Sequence, residues 1–195
     1  MATTRGRPSS FDRDAVLDKA IRLFWRRGYE GTSVRDLSEE LGIGAPSIYN
    51  AFGDKRTFFA EVLRVYDEKY GGFIDAALAE ERTAKEAAAR VFAEAPTRYS
   101  RRGLPTGCLI ISGDAGTADV TVATRLRRIR EAKVAAFADK IRADLTSGEL
   151  PADTDAQALA RYTMSTLSGI AQAARDGVRR TELEHAARIA LGAWP

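Results

Sequence analysis

The segment from Gly31 to Lys55, GTSVRDLSEELGIGAPSIYNAFGDK, leaves this chain few choices of fold. Ser33 is placed to N-cap a helix, and Asp36 sets a carboxylate near that helix's positive end. Val34, Leu37, Ser38 and Leu41 then recur at helical spacing on one face. Gly42 stops the run, because glycine tolerates the left-handed backbone that a helix end often needs. Ile43 is an apolar plug in the turn, and a second helix begins near Ala45 with Pro46 close to its first position. There Ile48 and Phe52 point inward, while Ala45, Ser47, Tyr49 and Asn50 face outward. Small residues, a Tyr and an Asn on a short exposed helix suit a surface that must approach a base-pair stack closely. An ordinary helical hairpin has the same helix–glycine–helix spacing, so spacing alone leaves both readings open.

The flanks extend the pattern. Arg5-Gly6-Arg7-Pro8 is a short basic arm of the kind that follows a minor groove, and a plain tail has the same composition. Asp12 reads as an N-cap, with Phe11 able to staple onto Val16. Val16, Leu17, Ala20, Ile21 and Phe24 form the buried stripe of the first helix, which Arg26-Arg27-Gly28 closes. After the second short helix of the Gly31–Lys55 segment, Gly53-Asp54 gives a break and a new cap. Lys55 then falls in a first helical turn, where the dipole disfavours a cation; an external anion would relieve that conflict. The stripe Phe59, Val62, Leu63, Tyr66, Tyr70, Phe73 and Ala77 predicts one continuous helix to about Glu81.

Further helices fill the rest. Thr83-x-x-Glu86 is a capping box, followed by Val91, Phe92, Ala95 and Tyr99. The loop Ser100–Pro105 carries Arg101 and Arg102, which read as exposed charge. Thr106–Ser112 is the most apolar segment; a lone strand would lack a partner, so a short buried helix is predicted. Val120–Thr146 predicts a long helix burying Val122, Leu126, Ile129, Phe137, Ile141 and Leu145, with Arg125, Arg127, Arg128 and Arg130 mostly outside. The next helix, capped by Asp153 or Asp155, places small residues at spacings that let helices approach closely. Thr181-x-x-Glu184 reads as another capping box. These last two helices are candidates for a dimer interface, a core-only role being the competing view.

Composition narrows the function. The chain has 195 residues, 45% hydrophobic and 29% charged, which is a soluble globular balance. Residues 1–55 hold nine Lys/Arg against eight Asp/Glu, so a DNA surface there must come from arrangement rather than bulk charge. No uncharged run nears the ~20 residues a membrane helix needs, and MATTRGRPSS lacks the apolar core of a secretory signal. Cytoplasmic residence is expected. The single histidine, His185, excludes His-based triads and multi-His metal sites, and the single cysteine, Cys108, excludes an internal disulfide. No catalytic residue, cofactor or metal site is expected. A pocket for a small, mainly apolar ligand is expected from Phe92, Tyr99, Cys108, Ser112, Phe137, Tyr162 and Met164, although the same side chains could simply fill a core.

RLFWRRGYEGTSVRDLSEELGIGAPSIYNAFGDKRTFFAEVL, from Arg22 to Leu63, resembles the DNA-binding domain of tetracycline-repressor (TetR) family transcriptional regulators. The G-Y-x-x-T-S-V-x-D-L, G-I-G-x-x-S-I-Y-x-x-F and G-D-K segments match in order; Gly44 departs, where relatives often carry a Ser cap. The resemblance covers about the first third closely and the rest only in length and helical character. It implies an all-α homodimer, with a three-helix helix-turn-helix domain over residues 1–55 and a helical effector-binding and dimerisation domain over 56–195. It also implies a repressor released from a near-palindromic double-stranded operator by a small effector. Ser33, Tyr49 and Lys55 are then expected at phosphates, with Arg35 as a further candidate. Ala45, Pro46, Ser47 and Asn50 are expected at the groove, and Arg5 and Arg7 in the arm. Two other readings stay open: a redox-sensing regulator acting through Cys108, and a helical small-molecule-binding protein with a vestigial DNA head.

Overall fold

The computed structural model describes residues 12–195, and Arg5, Arg7 and the Phe11 staple lie outside them. Asp12 caps α1 (Arg13–Arg27), its carboxylate accepting from the Asp14 and Ala15 N–H groups. The predicted stripe is buried, together with Leu23 and Trp25. Helices α2 (Val34–Leu41) and α3 (Ala45–Phe52) are joined by Gly42, whose φ of 71° is the left-handed conformation the turn requires. The Ser38 hydroxyl donates to the Ile43 carbonyl at 2.6 Å and locks that turn.

Helix α4 spans Lys55–Tyr66 and does not run on to Glu81. A π-helical turn, Asp67–Gly71, intervenes before α5 (Phe73–Glu80). The Asp67 side chain lies in the space a Cβ on Gly71 would occupy, so the Gly71-Gly72 pair admits an irregularity that a side chain would block. Helix α6 (Ala84–Tyr99) opens with the Thr83–Glu86 capping box. Its Ala84 N–H also donates at 2.6 Å to the buried carboxylate of Asp144.

The apolar 106–112 segment forms a single helical turn, α7 (Leu109–Ser112). It begins only after Gly107, which takes a φ of 79° where a Cβ would lie 3.0 Å from the Ala171 carbonyl oxygen. Helix α8 covers Val120–Ser147, with Ile129 and Leu145 partly rather than fully buried. Asp155, not Asp153, caps α9 (Ala156–Arg175). The Thr181–Glu184 capping box does not form. Helix α10 (Arg180–Leu191) starts two residues too early, with Arg179 as its N-cap, which puts Thr181 inside the first turn, while Glu184 pairs with Arg180 at 3.4 Å.

The described residues contain ten helices, one π-helical turn and no strand. None of these helices is long and apolar enough to cross a membrane. Two apolar cores result. The first joins α1–α4 to α7 and the start of α8, with Phe24 edge-on to Phe59 at 4.8 Å and Trp25 to Tyr66 at 4.9 Å. The second joins α5, α6, the rest of α8, α9 and α10, largely through alanines. The two meet at Cys108, which packs against both.

Candidate nucleic-acid interface and cavity

The outward face of α3 is built from its inward one. Ile48 and Phe52 are buried, and the Phe52 ring stacks on Phe58 with centroids 4.0 Å apart. This anchoring leaves Pro46, Ser47, Tyr49 and Asn50 exposed and Ala45 partly so, with Tyr49 half in solvent at 50%. Gly44 supplies no side-chain cap, so no side chain blankets the N–H groups at the start of α3.

Around that face sit two helix N-termini. At α2, Ser33 and Asp36 form a reciprocal capping box: the Ser33 N–H donates to the carboxylate at 2.8 Å and the Asp36 N–H to the hydroxyl at 3.1 Å. The Ser33 hydroxyl also donates to that carboxylate. Hydrogen bonds from Ser33, aided by Arg27 at 2.7 Å, hold the Asp36 carboxyl at about 2. Arg35, 88% exposed at its side chain, pairs with Glu39 along the same helix. Such an exposed pair is weak and exchangeable for a phosphate.

At α4, Asp54 caps Thr57, and Lys55 stands in the first turn. Its ammonium lies 4.1 Å above the Tyr29 ring, and burial pulls its pKa below the ordinary lysine value. No carboxylate pairs with it within ion-pair distance among the described residues. Arg56, next along, is held by Asp119 at 2.9 Å. That carboxylate caps α8 through the Thr121 and Val122 N–H groups. Tyr29 is a residue the sequence reading missed; its place beside Phe59 (5.1 Å) is what aims Lys55.

Of the expected ligand-binding set, Tyr99, Cys108 and Met164 line a cavity of about 150 Å³ at the seam between the cores. The other four do not line it. Phe137 is fully buried, and Phe92 borders a separate shallow groove beside α10. The Tyr162 hydroxyl is spent on the Ala190 carbonyl at 2.9 Å, and the Ser112 hydroxyl donates to the Cys108 carbonyl. Tyr66, Tyr70 and Phe73 line the cavity instead, from the π-helical turn and its flanks. Burial pushes the Cys108 thiol up, which works against thiolate chemistry. Among the described residues no cluster of three metal-ligating side chains occurs.

One contact joins cavity and head. The Arg175 guanidinium, at the end of α9, donates to the Trp25 and Arg26 carbonyls at the end of α1 (3.3 and 3.1 Å) and to the Ser112 hydroxyl (2.9 Å). Ser112 closes the helical turn that Cys108 opens.

Comparisons with known proteins agree with this layout. Residues 16–62 match the family described as bacterial regulatory proteins, tetR family, and residues 86–190 match the tetracyclin repressor-like C-terminal domain. The chain is 35% identical to the HTH-type transcriptional repressor ComR of Escherichia coli K12, over 98% of this chain and 93% of that one. It is 33% identical to the HTH-type transcriptional regulator YezE of Bacillus subtilis 168, over 80% and 82%. A cysteine mutant of the TetR family transcriptional regulator CifR, complexed with 26-bp double-strand operator DNA, superposes with a TM-score of 0.91. It has 35% identity and covers 97% of this chain and all of that one.

Proposed function

We propose, because the chain belongs to the tetR family of bacterial regulatory proteins, that it is a cytoplasmic repressor that binds a near-palindromic operator as a homodimer and leaves it when a small effector fills the seam cavity. The observation that carries the DNA reading is the bare outer face of α3. Small and polar groups there sit on a stacked Phe52–Phe58 base, flanked by Lys55 in a helix first turn, which has no carboxylate within ion-pair distance among the described residues. That arrangement offers groove-directed side chains and a phosphate site on one surface. Ser33, Tyr49 and Lys55 serve the phosphates, with Arg35 released from Glu39 to join them. Ala45, Pro46, Ser47 and Asn50 face the bases, and Arg5 and Arg7 extend the contact.

We place the functional division at residues 1–55 and 56–195, with α4, whose buried residues all pack in the head core, as the lever that leads on through the π-helical turn. Helices α9 and α10 form the dimer contact: α9 leaves Ala158, Ser165 and Gly169 exposed, and Ile189 on α10 is 78% in solvent. A dimer reads half-sites ~34–36 Å apart. Filling the cavity presses on Cys108 and α7, and Ser112 and Arg175 pass that shift to the end of α1. A change in head spacing then weakens binding.

Selection of bound sequences from random double-stranded DNA tests this reading. An enriched inverted repeat is expected. A folded dimer with no enrichment at any salt concentration would instead favour a ligand-binding protein with a vestigial head.

A further inference from the structure

The seam cavity has a chemistry more definite than its apolar walls. Its volume, about 150 Å³, is that of an engineered apolar cavity that holds one benzene, so its occupant is compact. The charges at its margin are already matched. Lys133 bridges Asp75 at 2.5 Å and Asp67 at 3.5 Å, Arg161 holds Glu131 at 2.6 Å, and Arg130 holds Asp114 at 3.0 Å. One atom is left over, Asp67 Oδ1, which has no hydrogen-bond partner among the described residues. It lies over Gly71, both residues lining the cavity, while the other oxygen of the same carboxylate faces Lys133 at 3.5 Å. An anion would therefore enter without a counter-charge, and a cation would meet only a carboxylate that Lys133 already neutralises.

What remains on offer is a set of neutral hydroxyls. Tyr99 is only 5% exposed, its ring edge-on to Phe73, and its hydroxyl makes no hydrogen bond among the described residues. The Tyr66 hydroxyl accepts the Leu109 N–H at 3.2 Å and keeps its own proton beside the Cys108 sulfur. Burial pushes both phenols well above their ordinary pKa, so both stay protonated as donors. The Tyr99 donor borders the cavity with no protein acceptor among the described residues, and a ligand oxygen there would supply one.

We propose that the effector cavity, on the reading given above, takes a compact uncharged molecule with an acceptor oxygen, of the carbonyl class, whose oxygen is held by the Tyr99 hydroxyl with Tyr66 beside it. Its hydrocarbon part lies against Phe73, Met164 and the isoleucines of α7.

Isothermal titration of the 195-residue protein tests this with three ring compounds of one size, cyclohexanone, methylenecyclohexane and cyclohexylammonium, and with the slightly larger cyclohexanecarboxylate. The ketone is expected to bind best, about three- to tenfold tighter than the alkene that lacks the oxygen, the range of one neutral hydrogen bond. In Tyr99→Phe the gap between ketone and alkene is expected to close. Because the comparison is between two probes on one variant, a general loosening of the fold cancels. Should that variant fail to fold, Tyr99→His, which keeps a donor on a ring, is expected to retain a ketone–alkene gap, and Tyr99→Leu to lose it. Stronger binding of either ion, or a ketone–alkene gap unchanged by Tyr99→Phe, would overturn the ligand class and leave the cavity reading standing. Binding of none of the four would overturn the cavity reading itself.

Discussion

The two cores are packed by opposite means. Around α1–α4 the interior is aromatic: Phe24, Phe52, Phe58, Phe59, Trp25 and Tyr66 pack as rings with centroids between 4.0 and 6.3 Å apart. Around α6, α9 and α10 it is built from small residues, among them Ala84, Ala87, Ala88, Ala95, Ala160, Ala171, Ala174 and Ala187. Large rings let helices of eight residues bury enough surface to hold a fixed reading face. Small residues let long helices lie close together and slide by small steps without losing contact. The cavity lies where ring packing and alanine packing meet, a place neither fills.

The contrast is broken most directly from the ring side. Phe59→Ala removes a fully buried ring that touches both Phe24 and Tyr29. A loss of about 3–5 kcal/mol is expected, read by denaturant unfolding. Because Tyr29 carries Lys55, operator affinity should fall in the protein that remains folded. A loss near 1 kcal/mol would show that the head core repacks freely and would remove the basis of the comparison.

The converse change enlarges a small residue. Ala160→Leu adds three carbons at a position with no exposed surface, and overpacking is expected to cost about 1–3 kcal/mol. An unchanged midpoint would mean that the body has slack beyond the cavity already described.

Much of this contrast was legible in the sequence. The stripe Val16, Leu17, Ala20, Ile21, Phe24 and the Ser33, Gly42 and Asp54 signals act through neighbours in the chain, so periodicity and capping rules reach them. The π-helical turn was not legible from the stripe, because Tyr66, Tyr70, Phe73 and Ala77 keep helix-like spacing through it; the Gly71-Gly72 pair was the available sign. Thr181 fitted a capping pattern, but the helix started at Arg180 instead. The cavity set was reached only in part. Tyr66 and Tyr70 were read as buried ring stripe, and the hydroxyl end of a tyrosine has no periodicity of its own. Arg175 meets carbonyls about 150 positions away, a contact no local pattern encodes.

On the outer face, the fixed base under α3 should divide labour between neighbours. Tyr49→Ala is expected to lower affinity for all DNA alike, whereas Asn50→Ala changes sequence preference by about 1–3 kcal/mol at one position. Binding to a set of single-base operator variants separates the two. Equal loss of preference in both would show that the face is not held well enough for one side chain to read one base.

The joint between the cores is probed by Arg175→Met, which keeps an unbranched apolar stem and removes the guanidinium donors to Trp25, Arg26 and Ser112. Effector-induced weakening of operator binding should shrink by on the order of 1 kcal/mol, the low end of usual coupling energies. An unaltered effector response would place the coupling in α4 alone.

The smallest effect belongs to the head's surface and tests how far its rigidity extends. Asp36 titrates at about 2 in the folded chain against an ordinary 3.8, held down first by the Ser33 hydrogen bonds and then by Arg27. A carboxyl with a lowered folded pKa contributes stability above its unfolded pKa and loses it as pH falls through the folded one. The difference between wild type and Asp36→Asn, followed by thermal unfolding, should therefore be constant above pH 5 and decline between about pH 4 and pH 2. The group is at the surface, so salt should reduce the difference throughout. A difference that persists unchanged at pH 2 would mean that the capping box works through its shape, as a neutral hydrogen-bonded pair, and that charge at the α2 N-terminus adds nothing to the head.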